Sequence, residues 1–161
     1  MLAANAFVLL CFSLFEPAEV EIVDLPFDPA SWKSAQRVEF RVDENGRNVV
    51  YSGVPLAIVL RDPAKNQEGM AFSRSLADAV IVVQGADDYQ ASVSAAAAWI
   101  DEKGERYILT TERDGKPLDP KHGPVMLAIP AEKRRVRWVR SVDSLRLLHP
   151  PKSVHKKKSR Y

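Results

Sequence analysis

Between Val38 and Val42 the chain alternates apolar and polar residues with a period of two, and the segment from there to Tyr51 constrains the fold more than any other. Val38, Phe40 and Val42 alternate with Glu39 and Arg41, the pattern of a half-buried strand. Asp43-Glu44-Asn45-Gly46 follows, and Asn-Gly tolerates the positive φ angles of a tight hairpin turn. Asn48 to Tyr51 then returns as a second strand. The chain is therefore expected to build on an antiparallel hairpin.

The remaining segments are short and divided by turn formers. Val20 to Leu25 reads as a strand broken by Pro26, Asp28 and Pro29. In Gly53-Val54-Pro55-Leu56, Pro55 suits the first turn of a helix. Leu56, Ile58, Val59 and Leu60 make that helix short and buried, and it stops before Pro63. A polar loop spans Lys65 to Gly69. Ala79 to Val83 is an apolar run of strand length, Gly85-Ala86-Asp87-Asp88-Tyr89 a turn, and Ala91 to Val93 a short strand. Ser94 is placed to cap a helix through Ala95 to Ile100. Tyr107 to Thr111 is strand-like and Asp114-Gly115 a tight turn. His122-Gly123-Pro124 opens a strand, Val125 to Ile129, stopped by Pro130. Val136, Trp138 and Val139 read as a strand with cationic alternates. Val142, Leu145, Leu147 and Leu148 close the core. This order lacks regular strand–helix alternation, so the expected class is α+β, with a mixed, mainly antiparallel sheet and short helices.

With 161 residues, 46% of them hydrophobic and 27% charged, the chain has the size and composition of one globular domain. The net charge of +2 hides an asymmetry. Residues 150–161 hold Lys152, Lys156, Lys157, Lys158 and Arg160 and no acid, whereas the other 149 residues carry 18 bases against 21 acids. A body at −3 is not expected to bind nucleic acid. The basic tail is expected to be disordered, with an anionic membrane surface as its conceivable partner. The single cysteine, Cys11, excludes an internal disulfide and any zinc site built on several thiolates. Cys11 lies in the apolar run Leu2 to Phe15, too short for a membrane span and suited to the core of a signal peptide. The expected organisation is a signal peptide at 1–18, a domain at 19–149 and a basic tail at 150–161, in an exported, periplasmic protein. Phosphate-loop, zinc-spacing and nucleophile-elbow motifs are absent.

Three blocks, in order, resemble the molybdopterin-binding oxidoreductase domain, the catalytic fold of sulfite oxidase and its relatives. Tyr51-Ser52-Gly53-Val54-Pro55-Leu56 is similar to the family's aromatic-x-Gly-Val-Pro-Leu. Ala79 to Val83 with Gly85 to Tyr89 looks like its strand followed by Asp-Gly-Tyr. Asp114-Gly115, Gly123-Pro124, Leu127 to Pro130 and Val136-Arg137-Trp138-Val139 are similar to its closing run. The resemblance implies the sulfite oxidase type of fold, a molybdopterin cofactor and oxidoreductase chemistry.

The departures bear on function. The enzymes ligate molybdenum through a cysteine upstream of the Gly-Val-Pro-Leu block, and Arg37 to Tyr51 contains none. Hydroxyl and carboxylate groups do not reproduce a soft thiolate. The arginine that often follows Gly-x-Pro is Met126 here, and Ala131 to Val136 lacks the family's glycines. Two readings follow. The first is a non-catalytic binding or accessory domain, holding a protein partner or a small anionic ligand in the remnant of the cofactor cleft. The alternative is an active molybdopterin-dependent oxidoreductase with atypical ligation or a partner subunit. Molybdopterin and no cofactor are thus equal expectations.

The candidate cofactor-binding residues are Tyr89, Arg137, Lys133 and Arg134. Arg137 matches the family's lysine near the pterin phosphate, and an arginine fork grips phosphate well; it also fits an outward charge on a strand. Lys133, Arg134 and Arg135 with Arg137 and Arg140 form either an anion patch or a charged strand edge. Tyr89 either lines a pocket or packs on the sheet. Asp87 and Asp88 read as turn formers, His122 as an exposed loop residue, and Trp32, Trp99 and Trp138 as core or rim packing.

Overall fold

The structure, a computed structural model, describes residues 19–61, 69–101 and 103–151. The expected signal peptide with Cys11, most of the polar loop after Pro63 and the tail from Lys152 lie outside the described residues. Nine strands and two short α-helices run in the order β1 (Glu21–Asp24), β2 (Val38–Glu44), β3 (Arg47–Pro55), α1 (Met70–Ser75), β4 (Val80–Gly85), β5 (Gln90–Ser94), α2 (Ala95–Trp99), β6 (Ile108–Arg113), β7 (Lys116–Pro117), β8 (Met126–Ala128) and β9 (Val142–His149).

The expected hairpin is β2–β3. Asn45 and Gly46 both take positive φ, +57° and +81°, as a two-residue hairpin turn requires. Asp43 Oδ1 accepts from the Gly46 N–H at 2.8 Å. Phe40 stands opposite Tyr51 and Val42 opposite Val49, which gives one apolar face. The second predicted turn behaves alike. Asp114 and Gly115 have φ of +50° and +73°, and Asp114 also accepts from the Val50 N–H at 3.0 Å, tying this turn to β3.

Two antiparallel sheets result. One has the order β1-β9-β4-β5. The other has β2-β3-β6-β7, with β8 also paired to β6. Every strand pair among the described residues is antiparallel, so no mixed sheet forms. Two sheets are needed because β4 and β9 bury Ile81, Val83, Leu145 and Leu147, while β3 and β6 bury Val49, Tyr51, Val54 and Leu109. All eight side chains belong to one hydrophobic cluster. Among the described residues, no helix is long and apolar enough to cross a membrane.

The predicted helices form where local chemistry asks for them. Ser94 Oγ accepts from the Ala97 N–H at 3.2 Å and caps α2, as expected. Leu56–Leu60 is a 3-10 helix rather than an α-helix. A second 3-10 helix, Pro29–Ser34, occupies a stretch read only as a break. Asp28 caps it through the Ala30 N–H at 3.0 Å, and Pro29 sits in its first turn.

One expected strand does not form. Residues 131–141 run as turns and bends, with only an isolated bridge between Leu127 and Val139. Two backbone hydrogen bonds hold that bridge, Leu127 N to Val139 O at 2.8 Å and the return bond at 3.2 Å. Trp138 is buried and donates from Nε1 to the Ile129 carbonyl at 3.1 Å. Val136, the expected partner on the same face, is 65% exposed. The alternation there marks a looping segment anchored by one tryptophan, and Arg135 and Arg137 turn to different acids, Glu44 and Glu132, instead of sharing a strand face.

Gly53, from the Gly-Val-Pro-Leu block, has a packing reason to be glycine. The β3–β6 register shifts between Ser52 and Gly53. A Cβ at Gly53 would stand 2.3 Å from the Leu109 carbonyl oxygen and 2.6 Å from Thr110 Cα. Both are backbone atoms in a paired strand and cannot turn aside. Gly53→Ala is expected to destabilise by about 1–3 kcal/mol and to lower the midpoint of thermal unfolding followed by circular dichroism. An unchanged midpoint would show that the bulge has room.

Candidate functional site

A cleft opens where the β4–β5 turn, the loop at His122 and the 131–141 segment meet. It encloses about 220 Å³ and is lined by Tyr51, Asp87, Tyr89, His122, Met126, Arg135, Trp138 and Arg140. Its base is aromatic. Phe40 stacks on Tyr51 with centroids 5.5 Å apart, and Trp138 meets both rings edge-on.

A half-buried carboxylate stands behind this base. Glu44, at the end of β2, accepts from the Tyr51 hydroxyl at 2.9 Å. It also pairs with Arg113 of β6 and with Arg135 at 2.6 Å. Burial alone would raise the Glu44 pKa, but the hydrogen bonds from Arg135 and Tyr51 and the charge of Arg113 outweigh it and hold the carboxyl below its ordinary value. For Tyr51, burial comes first and the hydrogen bond to Glu44 second, and together they push the phenol up to about 12. The pair is thus carboxylate and neutral phenol across the physiological range. The Arg135 guanidinium also lies over the Trp138 ring, 4.7 Å from its centroid, a favourable cation–π arrangement.

The β4–β5 turn supplies the opposite wall. Asp88 takes φ of +63°, filling the position where the family pattern has glycine. Asp87 Oδ1 accepts from the Tyr89 N–H at 3.2 Å, and the Tyr89 hydroxyl donates to the Val136 carbonyl. Tyr89 therefore links the turn to the 131–141 segment while lining the cleft.

The four candidate residues are placed differently from one another. Tyr89 lines the cleft. Arg137 lies outside its lining and is gripped by Glu132, with Nε at 2.7 Å from Oε1. Lys133 and Arg134 are exposed and also outside the lining. Arg135 and Arg140 supply the cleft's positive charge, and Arg140 has no ion-pair partner among the described residues. The basic cluster was legible in sequence; which of its members face the cleft depends on the looping path of residues 131–141.

His122 departs from its expected exposure. Its side chain is 16% exposed and lines the cleft. Asp119 fixes it twice, accepting at Oδ1 from the His122 N–H at 3.0 Å and contacting ring Nδ1 at 2.7 Å. The same carboxyl is held below its ordinary value, chiefly by the His122 ring and secondarily by backbone N–H groups. The Asp119-x-x-His122 spacing around Pro120 was the available sequence signal. Among the described residues, no group of three His, Cys, Asp or Glu side chains is placed to hold a metal.

The Glu44 knot generates a pH prediction. With the folded pKa below the ordinary 4.5, the unfolded chain binds more protons in that interval, so stability is present above it and lost as pH falls through the folded value. Urea midpoints measured from pH 6 downward are expected to drop steeply below about pH 4.5. Glu44→Gln is expected to be less stable at neutral pH and to flatten that drop. A variant with the parent's slope would remove Glu44 from the effect.

No curated protein and no solved structure matches the chain. The sequence model of the family described as oxidoreductase molybdopterin binding domain matches residues 30–155. That span contains the β2–β3 hairpin, both turns and every residue of the cleft, so the chain belongs to the oxidoreductase molybdopterin binding domain family.

Proposed function

We propose that this chain is a member of the family that works as a binding or accessory protein, taking a small anionic ligand in the cleft, and that it is not a molybdenum oxidoreductase. The observation that carries the reading is the cleft's cationic lining, Arg135 and Arg140, with no thiolate beside them. Binding a small anion needs only such donors and local positive charge.

The family binds molybdopterin, and its enzymes hold the metal by a cysteine upstream of the Gly-Val-Pro-Leu block. The residues here do not fit a thiolate-held metal. The β2–β3 hairpin occupies the upstream stretch without a cysteine. The sulfur in the lining, Met126, is a neutral thioether. The lined volume of about 220 Å³ also falls below the roughly 300–1,000 Å³ usual for drug-sized ligands and cofactors, because Tyr51 and Trp138 fill its base.

The fold proposed is that of the sulfite oxidase catalytic domain, on the three matching blocks and the family assignment. Lys133 and Arg134 are assigned to the rim, where their charge attracts an anion toward Arg140 and Arg135; Arg137, paired with Glu132, adds little to that field. A periplasmic location is proposed on the apolar run Leu2 to Phe15, and an anionic membrane surface as a partner on the bases between Lys152 and Arg160.

Two measurements test this reading. Protein purified from a molybdenum-competent host is expected to contain neither molybdenum by elemental analysis nor pterin by fluorescence after oxidation. Stoichiometric molybdenum would overturn the proposal and favour an enzyme with atypical or shared ligation. The mass of the protein recovered from the periplasm is expected to show removal of about the first 18 residues, within the usual 15–30 of a signal peptide. Recovery of full-length chain in the cytoplasm alone would refute export.

A further inference from the structure

We infer that the cleft selects anions that carry their own hydroxyl, such as hydrogenphosphate or a 2-hydroxy acid, because Arg140 receives the anionic oxygens while His122 receives the hydroxyl proton. This rests on the anion-binding reading and adds the ligand's chemical class.

The argument begins at Asp119. Its carboxyl is held ionised by His122, and an ionised carboxylate only accepts hydrogen bonds. The 2.7 Å contact therefore places a proton on His122 Nδ1. Nε2 is left as the ring nitrogen available to a ligand, and on an uncharged imidazole it accepts. Among the described residues Nε2 has no hydrogen-bond partner, and the ring lines the cleft. The backbone keeps the ring in place. The His122 N–H is held by Asp119, and its carbonyl accepts from the Ser141 N–H at 2.8 Å. A Cβ at Gly123 would collide with Ser141 at 2.4 Å, so this loop and the one bearing Arg140 are in direct contact.

The other charged and titratable groups around the cleft fit this division. Arg135 is committed to Glu44 and contributes field more than a free fork. Arg140 is the cation without an ion-pair partner among the described residues. Asp87, on the opposite wall, is a second acceptor. Tyr89 spends its proton on Val136, and Tyr51 spends its own on Glu44. The cleft thus combines a cation with acceptors and offers no free hydroxyl donor. A fully deprotonated oxyanion satisfies only half of it. An oxyanion with an O–H satisfies both halves, and an unpaired acceptor penalises the ligand that lacks one.

Calorimetric titration at pH 7 and constant ionic strength separates the cases, with two matched pairs as probes: phosphate against sulfate, and glycolate against acetate. The parent protein is expected to favour phosphate and glycolate, each by about tenfold. His122→Asn keeps an amide for Asp119 and deletes the cleft acceptor; it is expected to bind both members of a pair equally. Arg140→Gln is expected to weaken all four anions alike. Discrimination in only one pair would assign the site to that source, phosphate or hydroxy acid. Binding without discrimination, or discrimination that survives in His122→Asn with an unchanged melting temperature, would overturn the inference and leave the anion-binding reading standing. No binding of any of the four would overturn both.

Discussion

The carboxylate of Glu44 is the point on which the site depends. It sits one residue before the hairpin turn and gathers three donors from three parts of the chain: Tyr51 on the returning strand, Arg113 on β6 and Arg135 on the segment after Pro130. Removing any one donor leaves the other charges partly buried and less well paired, and breaking such a cluster costs more than forming it gains. The cluster is therefore better understood as a device for position than as a source of net stability. It holds Arg135 over Trp138 and so sets the path of a segment that makes only one bridge to the sheets.

The cleft is a consequence of that path. Trp138 and Tyr51 close its base, Tyr89 spans to Val136 from the other wall, and Arg140 follows the bridge at Val139. Its cations are sorted by partner. Arg137 is neutralised by Glu132, Arg135 is shared with Glu44, and Arg140 has no ion-pair partner among the described residues. Five bases within eight residues are thus unequally paired, although in sequence they look alike.

The parts of the structure legible in sequence are those where one residue's local chemistry decides the geometry. Asn45-Gly46 and Asp114-Gly115 needed only their tolerance of positive φ, and Ser94 needed only an N–H three residues on. The division into two sheets was not legible, because alternation tells which residues face inward and not which strands share an edge. The 131–141 segment misled for the opposite reason. Its apolar residues fall at strand spacing, yet a single buried side chain, Trp138, and a long-range ion pair override local preference. His122 was missed because its partner acts through space as well as sequence, with Ser141 and the β4–β5 turn completing its surroundings.

The order of β1-β9-β4-β5 has a bearing on how the chain becomes structured. β9, the last strand among the described residues, occupies an interior position, between β1 and β4. Until Val142–His149 has emerged, β1 has no neighbour in this sheet, and the β4–β5 hairpin has one edge bare. The pairing of Glu21 with His149 and of Asp24 with Arg146 joins segments more than a hundred residues apart. Such distant closures incur a large loop entropy before any contact repays it. The β2–β3 hairpin can form as it is made, whereas this sheet waits for residues 142–149.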